Sequence, residues 1–178
     1  IQLSRCQIRS IGSRAFAGQE ASLKNLNLQD NLISAIPTEA LRPLKVLALL
    51  DLSGNRIGRV PADAFSPLKL TTLKLADNGN LTLSENAFRG LEPTLKNLNL
   101  KGTRLREVPA DALRPLTSLA FLDLAQNGIR SLGSGLFRYL DSLTALNLER
   151  NSLSAIEPEA FTGVNDTLSS LSLLNNLI

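Results

Sequence analysis

The chain has 178 residues, a formal net charge of +3, 43% hydrophobic residues but only 4% aromatic ones, and no Trp, Met or His. Without His it lacks the usual general base and the commonest metal ligand, and so mild a charge does not mark a nucleic-acid binder. The single cysteine, Cys6, excludes an internal disulfide. With one Tyr and six Phe, the core has to be built from aliphatic side chains, chiefly Leu, which points to one small packing unit used repeatedly. No apolar run approaches the roughly 18–20 residues that cross a bilayer, and no charged-then-apolar leader opens the chain. With no Met, the chain is expected to be a mature or excised piece whose anchors, if it has any, lie in segments outside it.

One string, LxxLxLxxN, organises the sequence from end to end. Residues 1–6, IQLSRC, are the tail of a first copy with Cys6 in the Asn slot. Full copies follow as LKNLNLQDN (23–31), LALLDLSGN (47–55), LTTLKLADN (70–78) and LKNLNLKGT (95–103). They continue as LAFLDLAQN (119–127), LTALNLERN (143–151) and LSSLSLLNN (168–176), with starts 24, 23, 25, 24, 24 and 25 residues apart. Between copies an apolar residue recurs two positions after the Asn slot (Ile8, Ile33, Ile57, Leu105, Ile129, Leu153). Another recurs five positions after it (Ile11, Ile36, Val60, Leu83, Val108, Leu132, Ile156), often followed by Pro, as at Pro37, Pro61 and Pro109. A large residue recurs ten positions after it: Phe16, Leu41, Phe65, Phe88, Leu113, Phe137 and Phe161. One unit departs, with Asn80 where an apolar residue belongs and Leu81 one step late; Asn80 is either pushed outward or buried and bonded.

Each slot has a physical reason. The alternation in LxL predicts a short strand with one buried face, and successive turns stack these strands into one parallel sheet. The return path carries the Pro and the Phe or Leu of the outer wall, and no turn buries its own apolar face without its neighbours. The Asn slot supplies an amide, donor and acceptor together, to backbone groups that a tight turn leaves inside. Asn31, Asn55, Asn78, Asn127, Asn151 and Asn176 therefore form a structural ladder, interrupted at Thr103 and at Cys6, which is expected to be plain buried packing. The whole chain is then one array of about seven and a half repeats over residues 1–178, beginning and ending within a repeat. Neither end has a visible cap, so Ile1, Leu3, Leu171 and Leu173 are expected to need further repeats or another chain to cover them.

These residues resemble the leucine-rich repeat superfamily, and DLSGNRIGRVPADAFSPL (51–68) carries every element of its typical animal extracellular subtype. The resemblance implies an α/β solenoid that is mostly strand and irregular loop: a right-handed horseshoe with a parallel sheet on the concave face. It further implies a non-catalytic module of an extracellular receptor or matrix protein, secreted or at the cell surface, that recognises a protein ligand mainly through the concave sheet. An intracellular scaffold or sensor, or a structural adhesion element, would use the same fold.

No phosphate-binding Gly-rich loop is present, and the carboxylates fall in separate repeats, so neither an enzyme, a cofactor site nor a metal site is expected. The variable strand positions give the candidate ligand surface: Leu49, Asp51, Lys74, Asn99, Phe121, Asp123 and Asn147. Phe121 and Leu49 are apolar residues pointing away from the core, with Asp51, Lys74 and Asp123 supplying charge selectivity around them. Arg56, Arg59, Arg104, Arg106 and Arg130, with Arg9, fall one to four positions past the Asn slot, along one flank. That stripe suits a glycosaminoglycan or an acidic partner; the plain alternative is a solvated flank, with Glu107 interspersed. Asn80 and Asn165 open N-x-S/T sequons, candidate glycosylation sites if the chain is secreted. No nucleic-acid partner is expected, and a membrane only through segments outside the chain.

Overall fold

Alternation of leucine with polar residues gives each turn a strand too short to stand alone, and stacking makes the sheet. In the computed structural model, which describes residues 1–178, the chain runs β1 (Asn25–Asn27), α1 (Thr38–Leu41), β2 (Leu49–Asp51), β3 (Arg59–Val60) and β4 (Thr72–Lys74). It continues through β5 (Thr82–Leu83), β6 (Asn97–Asn99), α2 (Ala110–Leu113), β7 (Phe121–Asp123) and β8 (Ser131–Leu132). The last elements are β9 (Ala145–Asn147), β10 (Ala155–Ile156) and β11 (Ser170–Ser172). Seven of these strands form one parallel sheet in the order β1-β2-β4-β6-β7-β9-β11. The register never slips: Asn25, Leu49, Thr72, Asn97, Phe121, Ala145 and Ser170 lie side by side. Gln2 bridges to Asn27 and extends the sheet by one contact. The fold is the expected solenoid, with its sheet on the concave side.

The two leucines of each LxL step face inward. Leu122 and Leu124 are buried while Phe121 is exposed, which fixes the register that the alternation predicts. Two small parallel pairs, β3–β5 and β8–β10, lie just past the ladder and carry the next apolar slot into the core. The outer wall depends on the residue at the tenth slot. Units with Leu41 or Leu113 there form the single-turn helices α1 and α2 after Pro37 and Pro109. Units with Phe65, Phe88 and Phe137 bury the ring beneath a plain turn instead, in keeping with the better helix propensity of Leu. The Phe137 and Phe161 rings stack in consecutive units, 6.1 Å apart. Gly90 and Gly163 have φ of +97° and +95°, and a Cβ there would meet Ser66 O at 2.5 Å or Arg138 Cα at 2.6 Å. Glycine alone lets these outer turns lie directly on the turn before.

The ladder is built as the amide chemistry requires. Asn55 donates through Nδ2 to Leu28 O (2.9 Å) on the preceding turn and to Leu52 O (3.0 Å) on its own, while Oδ1 accepts from Ile33 N–H (3.0 Å). The same pattern recurs at Asn31, Asn78, Asn127, Asn151 and Asn176. To aim the amide inward, the residue before each slot turns left-handed. Arg5, Asp30, Gly54, Asp77, Gly102, Gln126, Arg150 and Asn175 all have φ between 53° and 66°. Only two of these are glycine, so the other turns carry a conformation that L residues visit rarely, supported by the amide's bonds in every such turn but that of Arg5, which precedes Cys6.

Departures from the pattern have local causes. Thr103 is fully buried; its Oγ1 donates to Leu100 O at 2.8 Å and its N–H to Asn127 Oδ1 at 3.1 Å, but it has no amide to reach the preceding turn. The irregular unit lies on the turn just before it, and there Leu81 N–H donates to Thr103 O at 3.2 Å rather than to a side chain. Leu81 takes the core position and Asn80 turns out to solvent with φ +56°, which resolves its two readings. Asn127, beside the smaller Thr103 and Gly128, is only half-buried. Cys6 corrects the sequence reading: it is exposed, not buried, because no turn of this chain lies over it. Its N–H still bonds Asn31 Oδ1, at 2.9 Å.

Replacing Asn127 by Ala leaves the N–H groups of Thr103 and Leu105 without their acceptor, while Leu100 O and Leu124 O keep Thr103 Oγ1 and Asn151 Nδ2 as donors; it should destabilise by roughly 1–3 kcal/mol in denaturant unfolding. A neutral result would remove the ladder's structural role. Leu124→Ala should cost roughly 2–5 kcal/mol through lost burial and the cavity it leaves. Thr103→Asn, which restores the amide, should be neutral or stabilising in the same assay.

Candidate concave interface

The sheet positions that do not enter the core form the floor of a shallow concavity of about 660 Å³. Of the seven residues singled out in the sequence, Leu49, Lys74, Asn99, Phe121, Asp123 and Asn147 all line it. Constant register brings them together from five strands: β2, β4, β6, β7 and β9. Phe121 is the salient member. It is 50% exposed, flanked in its row by Asn97 and Ala145, so its ring stands clear of neighbours able to cover it. Leu49, by contrast, is half-buried.

Asp51 lies elsewhere. It is only 8% exposed and does not line the concavity; its Oδ1 accepts the Ser53 N–H at 2.9 Å. The same short-range bond recurs at Asn27, Asn99, Asp123 and Asn147, each accepting the N–H two residues on at 2.9–3.0 Å. These side chains form a second ladder that ends each strand, a use for which Asn and Asp are suited. The sequence reading treated them as free ligand-facing groups. The recurrence of Asn or Asp at one strand position, in five of the turns, was the signal for this second role. Lys74 makes no such bond in the strand set and, with the unbonded Oδ2 of Asp123, supplies charge to the floor, beside Glu149, which accepts from the Ser172 hydroxyl.

Carboxylates with perturbed titration sit outside this face. A side-chain hydrogen bond from Arg89 holds Asp63 below the usual carboxylate range. The Ser134 hydroxyl and N–H do the same for Glu157. Glu20 is lowered by its own N–H and that of Gly18. Asp63 and Glu157 thereby tie adjacent turns, while Glu20 bonds only within its own. No three His, Cys, Asp or Glu residues are grouped as a metal site, and no helix is long and apolar enough to cross a membrane.

The arginines Arg56, Arg59, Arg104, Arg106 and Arg130 are all exposed on the flank beyond the ladder, as is Arg9. The stripe is not continuous: opposite Arg59 the irregular turn carries Thr82, which parts Arg56 and Arg59 from the other three. Both sequon residues, Asn80 and Asn165, are exposed.

A family profile described as leucine rich repeat matches residues 1–57, 21–81, 69–129 and 122–178, which together span the chain. No curated protein matches it in sequence. Among solved structures it is similar to TLR13 from a TLR13–ssRNA13 complex, with 33% identity and a TM-score of 0.82 over 95% of this chain. It is likewise similar to RP105 or MD-1 in the mouse RP105/MD-1 complex (27% identity, TM-score 0.83, 93% of this chain). The Drosophila Toll–Spatzle complex shares the fold at 22% identity, with a TM-score of 0.78 over 99% of this chain. The chain spans only about a quarter of these structures, 24%, 28% and 26% of their respective lengths.

The double use of Asp123 can be separated by substitution. Asp123→Asn keeps the acceptor for Ala125 N–H and should leave unfolding unchanged, whereas Asp123→Ala should cost about 0.5–1.5 kcal/mol. Equal losses for the two would assign the effect to charge and remove the second ladder.

Proposed function

The chain belongs to the leucine-rich repeat family, and on that premise we propose that it is a non-catalytic recognition module of an extracellular receptor or matrix protein. Its ligand is a protein held on the concave sheet around Phe121. One observation carries this reading: a half-exposed Phe stands among mainly polar neighbours on the concave face of the parallel sheet, which nothing in the chain covers. Parallel sheets ordinarily have both faces covered, and an aromatic side chain ringed by polar groups has the make-up of an interface anchor. Lys74 and Asp123, of opposite sign in one row with Asn99 between them, select partners by charge.

Complexes of similar arrays point the same way, since RP105 is held in a complex with MD-1. TLR13 in complex with single-stranded RNA makes RNA a competitor to be measured directly. The extracellular setting rests on the repeat subtype and on two exposed sequon asparagines, Asn80 and Asn165.

Two measurements test the proposal. The immobilised chain, screened against purified secreted proteins and a single-stranded RNA, should retain a protein whose binding weakens at least about tenfold with Phe121→Asp, the loss expected at a central anchor. Retention of RNA alone, or of a protein indifferent to Phe121→Asp and Lys74→Glu, would contradict it. Secretion from animal cells followed by peptide mass analysis should find glycan on Asn80 or Asn165; failure to be secreted would contradict the extracellular setting.

A further inference from the structure

Positive charge is concentrated on one flank of the array. The four positions after each ladder slot hold Arg9, Arg56, Arg59, Arg104, Arg106 and Arg130 against one acid, Glu107, an excess of five in a chain of net charge +3. The rest of the surface is therefore slightly acidic. Four arginines of the outer wall, though not Arg14, are treated differently. Arg42 pairs with Glu39 (2.9 Å), Arg89 with Asp63 (2.6 Å) and Arg114 with Asp111 (3.3 Å). Arg138 lies over the Tyr139 ring, 5.2 Å from its centre. The fourth ion pair of the chain is Arg5–Asp30, so the flank arginines take part in none.

Three of the flank arginines are further organised. Arg106 and Arg130 occupy the same position on adjacent turns, about 5 Å apart at the backbone by sheet spacing. With Gly128 and Ser152 they line a notch of about 310 Å³ that contains no acidic residue. Gly128 opens it, because the same slot holds Arg56 or Arg104 in other turns. The acids Glu85, Glu107 and Asp111 line the neighbouring hollow, which also takes in Arg104 and Arg106.

We propose that this notch, with Arg104 at its side, binds the sulfate groups of a sulfated polysaccharide. Guanidinium forks suit tetrahedral oxyanions, the Ser152 hydroxyl adds a donor, and arginines on two adjacent turns can meet neighbouring sulfates of one polymer. No aromatic residue lines the notch, so it lacks the stacking platform on which single-stranded nucleic acid relies. The site is separate from the concave face and is independent of what binds there.

The test measures affinity for a heparin oligosaccharide by calorimetry at two salt concentrations, with folding of every variant checked by thermal melting. Two charge-matched triples are compared: Arg104→Gln/Arg106→Gln/Arg130→Gln on the flank and Arg42→Gln/Arg89→Gln/Arg114→Gln on the outer wall. The flank triple should lose about tenfold or more in affinity and show a shallower salt dependence, while the wall triple stays within about twofold. Gly128→Glu, which keeps every arginine but sets a carboxylate in the notch, should also weaken binding. Equal losses in the two triples, unchanged affinity in Gly128→Glu, or equal binding of desulfated heparin would overturn the proposal. So would a single-stranded RNA that binds more tightly than heparin.

Discussion

A chain that reverses direction every dozen residues carries backbone N–H and C=O groups into its interior at each bend, where water cannot reach them. Leaving such groups unpaired costs roughly 1–3 kcal/mol apiece, and a solenoid has that problem once per turn. Here an amide in six of the eight slots meets it, bonding carbonyls on two successive turns and an N–H on the earlier one. The bond pattern has two consequences. It fixes the vertical offset between turns, so the sheet register stays constant from Asn25 to Ser170. It also demands a left-handed residue before each slot, accepted even at Gln126 and Arg150, which have no special aptitude for it. Leucine burial supplies most of the favourable free energy; the amide decides where each turn must sit.

Constant register is what makes a surface out of side chains far apart in sequence. Leu49, Lys74, Asn99, Phe121 and Asn147 lie on five strands yet share one concavity, because each strand presents the same two positions outward. The array thereby separates its tasks by side. The inner face holds a single prominent ring among polar groups, the outer wall sets four of its arginines against acids and an aromatic ring, and the flank beyond the ladder leaves its arginines free. Two different partners can be served without competing for the same residues.

Most of the architecture was legible in the sequence because the repeat states each constraint many times. Seven copies of the LxL step identified the buried face, and Leu124 and Phe121 lie on opposite sides of the sheet as the alternation requires. What stayed hidden depends on neighbours rather than on slot identity. Cys6 occupies a core slot but is exposed, since burial there requires a turn above it. Asn80 had two readings that only the path of its turn could separate, and that path in turn accompanies Thr103 on the next. Asp51, Asn99, Asp123 and Asn147 look in sequence like free surface groups, yet each bonds the backbone two residues on. The pairing of wall arginines, against the freedom of flank ones, likewise follows from which acid faces which turn.

The account stands on the ladder, and amide hydrogen exchange reads it directly. The N–H groups of Ile33, Ile57, Ile129 and Leu153 lie in irregular segments, and their acceptors are the ladder oxygens of Asn55, Asn78, Asn151 and Asn176. If those amides hold the turns together, these four groups should exchange as slowly as the amides of Leu52, Leu75 and Leu124, which follow β2, β4 and β7 and bond the carbonyls of the next strand, opening only when the array unfolds as a whole. Exchange at the rate of ordinary surface loops, with the strands still protected, would show that the sheet stands without the ladder and would contradict the account.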